Sequence, residues 1–314
     1  MFKIAERITP DLILLDVDMP ETDGFDAMRI LKSDEKWRTI PVIFLTARND
    51  AEAEIRGFEM GAIDFISKPI SPPVLIKRIE THLETDKLIK ESQKALRNIH
   101  NATISVIVDL VETRDNTTGG HIERTQIYLT LLVNELLRVG TYKEEMSSWD
   151  ISILLPSAQL HDVGKIGISD SILNKPGKLT DTEFEAIKRH CDKGEQVISR
   201  IIERSENDMF LEHAKRFAAY HHEKWNGTGY PRGLSNGEIP LEGRIMAIAD
   251  VYDALVSKRP YKEPFSHEQA VEIIRRDSGV HFDPQIVDAF LNVAEDFWVE
   301  LTINENLNQR GKNL

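Results

Sequence analysis

The apolar pattern of the 314-residue chain changes near residue 71, and this change constrains the fold more than any other feature. Before it, short apolar runs alternate with stretches of helical spacing, in the order DLILLDVDMP, GFDAMRILK, IPVIFLTA, AEIRGFEMGA and IDFISKP. Strands and helices in alternation predict a parallel sheet with flanking helices. After it, the spacing is helical to about residue 300. We therefore expect an α/β domain at 1–70, a linker helix at 71–101, an all-α domain at 102–300 and a polar tail at 301–314.

The charge balance and the single cysteine narrow the classes of function. The formal net charge of −13 argues against binding to nucleic acid or to a membrane surface, because phosphate backbones require a basic face. A phosphate-bearing ligand would have to be attracted locally, by metal ions or by a few placed Arg and Lys side chains. Cys191 has no second cysteine to pair with, and no apolar run reaches the ~20 residues of a membrane-spanning helix. The N-terminus also lacks an apolar signal-peptide segment, so we expect a cytoplasmic protein.

The predicted linker helix has two interpretations that the sequence leaves open. It is charged, it lacks internal Gly and Pro after SPP, and its apolar residues lie near coiled-coil spacing at Leu75, Ile79, Leu83, Leu88 and Ile89. This spacing is typical of a helix that pairs two protomers into a homodimer. The repeat is short and imperfect, so a solvated single helix fits almost as well.

Ionisable residues interrupt the apolar face of the run WDISILLPSAQLHDVGK. Helical spacing places apolar side chains on one face, and continuing the series brings three ionisable groups onto that inward face. Such groups are costly in a core unless they are paired or bind a metal. The apolar members are Ile151, Leu154, Leu155 and Ala158, and the ionisable ones are His161, Asp162 and Lys165.

The same arrangement recurs on four more predicted helices, at His121, His190, the pair His221 and His222, and Asp250. A single buried histidine is usually a satisfied core residue, but seven inward imidazoles and carboxylates would each need a partner. Shared cations solve this problem, and imidazole with carboxylate suits Fe, Mn, Zn or Ni. Seven ligands exceed the needs of one ion, so we expect two divalent transition metals with Asp162 as the bridge. Such a pair activates water for phosphoester displacement.

Three long motifs carry a resemblance to a known family. HDVGKIGISDSILNKPGKLT, HHEKWNGTGYPRGL and IADVYDALVSKRPYK resemble the HD-GYP phosphodiesterases of bacterial cyclic di-GMP signalling, over about residues 100 to 295. The resemblance implies an HD-type helical fold, iron or manganese as the metals, and Lys165 beside the scissile phosphate. It also implies substrate contacts from Gly229, Tyr230 and Pro231, and phosphate contacts from Arg259 and Lys262. The implied metal ligands are His121, His161, Asp162, His190, His221, His222 and Asp250.

Two positions bear on the number of metals. Some family members carry a Glu four residues before the first ligand histidine and bind a third ion, but Thr117 stands there in this chain. Asp115 matches a family acid near the metals, and a turn or helix-terminal acid is an equally good interpretation. The resemblance therefore favours a two-metal site.

The first 70 residues resemble the receiver domain of bacterial response regulators. Asp16 matches the phospho-acceptor, Thr46 the switch residue and Lys68 the phosphoryl-binding lysine. The match covers roughly the last two thirds of a receiver, and the first strand with its pair of Mg²⁺-binding acids is absent. The resemblance implies a sensor histidine kinase as partner, while a scaffold without phosphotransfer remains open.

Together these features predict a cyclic dinucleotide phosphodiesterase in a two-component signalling context. The expected reaction is hydrolysis of cyclic di-GMP to pGpG, with further cleavage to GMP left open. The alternatives are another cyclic dinucleotide, such as cyclic GMP-AMP, and a non-catalytic signalling adaptor. We expect His82, His100, His213, His267 and His281 to be surface residues and Cys191 to be a small core residue beside a ligand.

Overall fold

The computed structural model describes residues 9–19, 23–47, 51–115, 120–205, 208–257 and 263–311, without the side chains of Asp115 and residues 304–311. The chain forms two compact units, Met1–Asn98 and Ile99–Leu314. The first contains a parallel sheet and the second is helical. This confirms the predicted fold class, while the predicted domain limits stay predictions.

The first unit is a three-stranded parallel sheet in the order β1-β2-β3. Its strands pair in register, with Leu15 opposite Phe44 and Phe44 opposite Phe65. The Phe44 ring lies 5.2 Å from that of Phe25 and 5.0 Å from that of Phe65, and Asp23 caps the first helix by accepting from the Phe25 amide. The elements are β1 Ile13–Asp16, α1 Gly24–Ser33, β2 Val42–Thr46, α2 Ala51–Glu59 and β3 Asp64–Ser67.

A long helix, α3, spans Pro72–Asp115 and continues past residue 101, where the sequence pattern placed its end. Near its start, Arg78 donates to both carboxylate oxygens of Asp64 at 2.9 and 2.8 Å. Near its end, Arg114 donates to the carbonyl oxygens of Ile166 at 2.7 Å and Ile168 at 3.1 Å. These last contacts fix the helix against the segment that follows Lys165.

The second unit is built from helices around an aromatic core. The rings of Tyr128 and Phe297 stack at 4.6 Å, and Tyr252 contacts both rings at 5.2 Å. Among the described residues, no helix is both long and apolar enough to cross a membrane. The helices are α4 His121–Val139, α5 Lys143–Met146, α6 Ile151–Ser157, α7 Asp170–Leu173, α8 Asp181–Lys188, α9 His190–Ile202, α10 Met209–Tyr220, α11 Leu241–Val256, α12 His267–Arg276 and α13 Pro284–Gly311.

The run before His161 is not one continuous α-helix, and this part of the sequence prediction is wrong. Helix α6 ends at Ser157, and two 3₁₀ turns follow at Ala158–Leu160 and Val163–Gly167. Pro156 lacks the amide proton that an α-helix needs. Its presence favours a change from α-helix to the tighter 3₁₀ helix in the residues that follow. The inward direction of His161 survives the change, because the side chain is completely buried.

Two histidines expected at the surface are buried. His213 lies 2.8 Å from Glu242, and His267 lies 2.8 Å from the Tyr252 hydroxyl. Each ring is buried because a polar partner from another helix satisfies it, which helical spacing alone does not reveal.

Helical spacing after the sequence TDTE, a capping box from Thr180 to Glu183, predicts that Phe184 and Ile187 of α8 are buried. Phe184 is instead 46% exposed, and no residue of α8 is fully buried. Both ends of α8 are fixed by hydrogen bonds, the first by the Thr180–Glu183 capping box and the last by donation from His190 to the Ile187 carbonyl.

Candidate metal centre

Three buried histidines present the same ring nitrogen to a common point. The Nδ1 atom of His161 donates to the Ala158 carbonyl at 2.9 Å, that of His190 to the Ile187 carbonyl at 2.7 Å, and that of His221 to the Phe217 carbonyl at 2.9 Å. Each carbonyl lies three or four residues earlier, so local helical geometry supplies it. Because a carbonyl can only accept, Nδ1 carries the proton and Nε2 offers a lone pair.

Asp162 divides these imidazoles between its two oxygens. Its Oδ1 lies 3.4 Å from Nε2 of His190 and 3.7 Å from Nε2 of His221. Its Oδ2 lies 3.4 Å from Nε2 of His161 and 2.7 Å from the ammonium of Lys165. The two oxygens of one carboxylate therefore face two different sets of ligand atoms.

His121 and Asp250 complete the set on the Oδ2 side. His121 is the first residue of α4, and its ring lies 5.6 Å from that of His161. Its Nε2 is 3.7 Å from Oδ1 of Asp250, while its Nδ1 donates to Asp253 at 2.7 Å. The ligand atoms of His121, His161 and Asp162 lie within 4.8 Å of one another.

His222 and Tyr230 lie on the other side of the imidazole cluster. The His222 ring is 4.1 Å from the His221 ring and 4.8 Å from the Tyr230 ring. The loop that carries Tyr230 is anchored by the buried Glu223, which accepts from the amides of Arg232 at 2.7 Å and Leu234 at 3.0 Å. Gly229 lies so close to the Glu223–Lys224 backbone that any side chain there would clash.

Gly229, Tyr230 and Pro231 were all predicted substrate contacts. The Glu223 anchor places this GYP element beside His222, the last imidazole of the cluster. Its role in binding substrate stays a prediction.

Burial sets the protonation states in the cluster. It lowers the pKa of His190, and it lowers that of His221 well below the usual range, with His222 and His161 adding to the effect. It also lowers the pKa of His222 to about 4. Burial alone would raise the pKa of Asp162, but Lys165 and the imidazoles hold it well below the usual range. His190, His221 and His222 are therefore neutral imidazoles beside an ionised carboxylate, whereas the neighbouring carboxylates of Asp253 and Asp250 outweigh burial and raise the pKa of His121.

This arrangement fits bound cations. Nε2 of His161 and Oδ1 of Asp162 are buried without a hydrogen-bond partner among the described residues. The Nε2 atoms of His190 and His221 face each other at 3.2 Å, and two lone pairs at that distance repel unless a positive charge lies between them. Donation of Nδ1 to a fixed carbonyl is also the usual support of a metal-binding histidine.

A small pocket opens beside His121, Asp162 and Lys165. Its facing wall is apolar and includes Val108 and Val111 of α3. The polar groups of the centre are thus accessible from one side.

Sequence reasoning missed several residues that hold the centre in place. Asp253 and Arg124 lie three residues after Asp250 and His121 on the same helices, and this matched spacing was an available signal. Glu223 follows the His pair directly, but nothing in the sequence marks it as a loop anchor. Cys191 is buried as expected, and its Sγ lies 3.6 Å from Nε2 of His190, close enough to group with the ligand atoms. Burial raises the pKa of its thiol, so the group stays protonated.

Some predicted residues lie outside the described part of the chain. Arg259, Lys262 and Thr117 are among them, and so is the side chain of Asp115. Their predicted roles stay predictions.

The receiver-like unit brings together its three predicted residues by strand register. Asp16 and Thr46 are the last residues of β1 and β2, and Lys68 directly follows β3. Lys68 forms an ion pair with Asp16, and Thr46 is buried. The carboxyl ends of these strands thus form one small polar site.

Fold and site together define a helical domain with an imidazole–carboxylate centre, preceded by a receiver-like sheet. The HD domain family matches residues 105–286, and the response regulator receiver domain matches residues 1–80. The chain belongs to the HD domain family, in the HD-GYP group of response regulators.

Three relatives illustrate this membership. A Vibrio cholerae serotype O1 protein named "Probable cyclic di-GMP phosphodiesterase" is 42% identical over 94% of this chain and 70% of its own. The Xanthomonas campestris pv. campestris protein "Cyclic di-GMP phosphodiesterase response regulator RpfG" is 36% identical over 90% of this chain and 75% of its own. A second V. cholerae protein, "3'3'-cGAMP-specific phosphodiesterase 2", is 37% identical over 64% of this chain and 36% of its own.

Proposed function

We propose that this protein is a metal-dependent phosphodiesterase that hydrolyses cyclic di-GMP to linear pGpG. The observation that carries the proposal is the division of ligand atoms between the two oxygens of Asp162. A carboxylate in that position suits a pair of divalent ions, with His190, His221 and His222 on one side and His121, His161 and Asp250 on the other. The names of the relatives supply the substrate class.

Each polar group of the centre has a distinct task in this proposal. Bound divalent ions supply Lewis acidity and lower the pKa of water at the site. Lys165, whose ammonium already lies 2.7 Å from Asp162, neutralises charge on the phosphate oxygens. Tyr230 bounds the site beside His222 and orients the substrate, and Arg259 with Lys262 holds its phosphates.

The test is hydrolysis of cyclic di-GMP by the full chain, with metal content measured on the same preparation. Replacing Asp162 with Ala or Asn should remove both metal and turnover, because neither side chain offers a charged carboxylate with one oxygen for each ligand set. The matched control is Asp296→Asn, an exposed carboxylate on α13. Full turnover by the Asp162 variants would refute the proposal. Metal analysis of protein purified without oxygen decides between iron and manganese.

A second candidate substrate is 3'3'-cyclic GMP-AMP, which is named for a relative of 37% identity. The centre described above acts on the phosphodiester and does not distinguish guanine from adenine. Comparison of kcat/KM for the two dinucleotides decides between them, and product analysis shows whether cleavage continues to GMP. Metal binding without turnover of either would favour a non-catalytic adaptor.

For regulation, we propose that a sensor histidine kinase phosphorylates Asp16. The support is the meeting of Asp16, Thr46 and Lys68 at the strand ends. Mass spectrometry after incubation with acetyl phosphate should place a phosphoryl group on Asp16. Its absence would favour a receiver that acts only as a scaffold.

We also propose that α3 pairs with the same helix of a second copy. Five apolar residues of α3 that are more than half exposed fall at heptad spacing, while Ile104, Val108 and Val111 on another face are buried. Residues at heptad spacing form a continuous seam when two helices supercoil around each other. A second copy of the same helix carries the same heptad spacing and can form this coiled coil. The five residues at heptad spacing are Ile89, Leu96, Ile99, Val106 and Leu110.

Sedimentation of wild type and of the double variant Leu96→Glu, Ile99→Glu tests this pairing. The wild type should be a dimer and the variant a monomer. A wild type that remains monomeric at tens of micromolar would exclude the pairing.

A further inference from the structure

Phe184 is an exposed aromatic residue on a helix that is fixed at both ends. The capping box of Thr180 and Glu183 closes the start of α8, and Lys175 donates to Glu183 at 2.6 Å. At the other end, the Ile187 carbonyl accepts from His190, one of the proposed metal ligands. These contacts fix the position of Phe184 with respect to the metal centre, although the residue is 46% exposed.

Single exposed apolar residues are common and usually need no explanation. Phe184 differs because its ring begins a row of rings that leads into the site. Its centroid is 6.5 Å from that of Tyr230, and the Tyr230 centroid is 4.8 Å from that of His222. Two ring-to-ring steps thus connect the exposed ring with the imidazole cluster.

A cation lies over the same two rings. The ammonium of Lys188 is 4.9 Å from the Phe184 centroid and 5.5 Å from the Tyr230 centroid. Glu185 holds it at 2.6 Å, and about a quarter of the lysine side chain is exposed, at 27%. Although it is paired with Glu185, this ammonium is a cation shared by two aromatic rings, and it remains partly accessible to a ligand.

We propose that Phe184 and Lys188 form a nucleobase subsite of the phosphodiesterase. A nucleotide whose phosphate lies at the imidazole cluster holds its base one sugar away, and Phe184 offers that base a ring face to stack on. Lys188 lies between the stacked base and the phosphates and attracts both. The inference rests on the proposed function, because it assumes that a phosphodiester binds at the metal centre.

Stacking also determines what this subsite can and cannot select. Every nucleobase has a π-face, so stacking adds affinity and discriminates little between bases. The affinities for guanine and adenine nucleotides should therefore depend on Phe184 to the same extent. Selection between cyclic di-GMP and cyclic GMP-AMP must then come from other residues.

Binding of mononucleotides to the full-length, metal-loaded protein tests the subsite without requiring turnover. Phe184→Ala should lower the affinity for GMP and the affinity for AMP by a similar factor, on the order of 10-fold, because a base–aromatic stack is lost. Affinity for inorganic phosphate, which has no base, should not change. Phe184→Leu should behave like Ala, since it keeps apolar volume without a ring, and Phe184→Trp should restore binding.

Trp298→Ala is the matched control, since Trp298 is an exposed aromatic residue that stacks on His267. Its loss should leave nucleotide affinity unchanged.

The outcomes separate the subsite from the proposed reaction. Unchanged GMP affinity in Phe184→Ala, or a wild type that does not bind GMP, overturns the subsite. Equal losses for GMP and phosphate also overturn it, because they indicate a disturbed centre. If the base-dependent loss appears but the wild type hydrolyses no cyclic dinucleotide, the subsite stands and the proposed function fails. If the wild type hydrolyses cyclic di-GMP and Phe184→Ala keeps its KM, the function stands and the subsite fails.

Discussion

Asp253 holds the ring of His121, and replacing it with Asn tests whether that support matters for metal binding. Its Oδ1 accepts from Nε of Arg124 at 2.6 Å, and its Oδ2 accepts from Nη2 of Arg124 at 3.0 Å and from Nδ1 of His121 at 2.7 Å. Burial would raise the pKa of Asp253, but His121 and Arg124 lower it, so the carboxylate is ionised. Asn keeps the shape and removes the charge.

The expected magnitude follows from burial. The side chains of Asp253 and Arg124 are 3% and 10% exposed, so removing the carboxylate charge leaves a guanidinium that water compensates poorly. Breaking a buried ion pair in this way costs about 3–5 kcal/mol of unfolding free energy. Loss of the group that orients a metal-binding histidine typically lowers metal affinity about 10- to 100-fold.

Two measurements separate the effects of the substitution. Urea unfolding of metal-free protein gives the loss in stability, and competition with a chelator gives the loss in metal affinity. Glu135→Gln is the matched control, because Glu135 is a buried carboxylate of α4 paired with Arg138 at 2.6 Å. It lies 14 residues after His121, about 21 Å along the helix. The control should lose stability and keep its metal affinity. If Asp253→Asn also keeps wild-type metal affinity, the positioning role of Asp253 is refuted.

Three further predictions concern other parts of the chain. A methyl group at Gly164 would clash with the His190 carbonyl. Gly164→Ala should therefore lower the free energy of unfolding in urea by about 1–3 kcal/mol or more, and it should weaken metal binding. Wild-type stability and metal affinity in this variant would contradict the close approach of the two backbones. Burial, reinforced by Lys224, lowers the pKa of His281 from 6.5 to about 4. As the pH falls, the unfolded chain takes up this proton first, so the folded state should lose up to about 3 kcal/mol between about pH 7 and pH 4. His281→Asn should remove that loss from urea unfolding measured across this range, and an unchanged pH dependence would exclude the assignment. Asp16→Asn should abolish labelling by acetyl phosphate, and labelling that persists would place the phosphoryl group elsewhere.

The alternation of strand and helix was readable from the sequence because apolar periodicity follows directly from side-chain geometry. The identities of the seven candidate ligands were readable for the same reason, supported by the family motifs. The 3₁₀ turns around His161 were not readable from the sequence. A continuing α-helix and an α-helix followed by 3₁₀ turns have nearly the same pattern of apolar residues. Phe184 was expected to be buried, since periodicity marks an apolar face without showing whether anything covers it.

By itself, the sequence determined the two fold classes and the residue types of the centre, because these depend on local periodicity and on the chemistry of side chains. Only the tertiary structure decided which nitrogen each imidazole presents, because backbone carbonyls fix Nδ1 as the donor in His161, His190 and His221. It also decided that the oxygens of Asp162 face separate ligand sets and that Asp253 supports His121 across 132 residues of chain. Contacts between residues distant in sequence depend on how helices pack, and no local pattern records that packing.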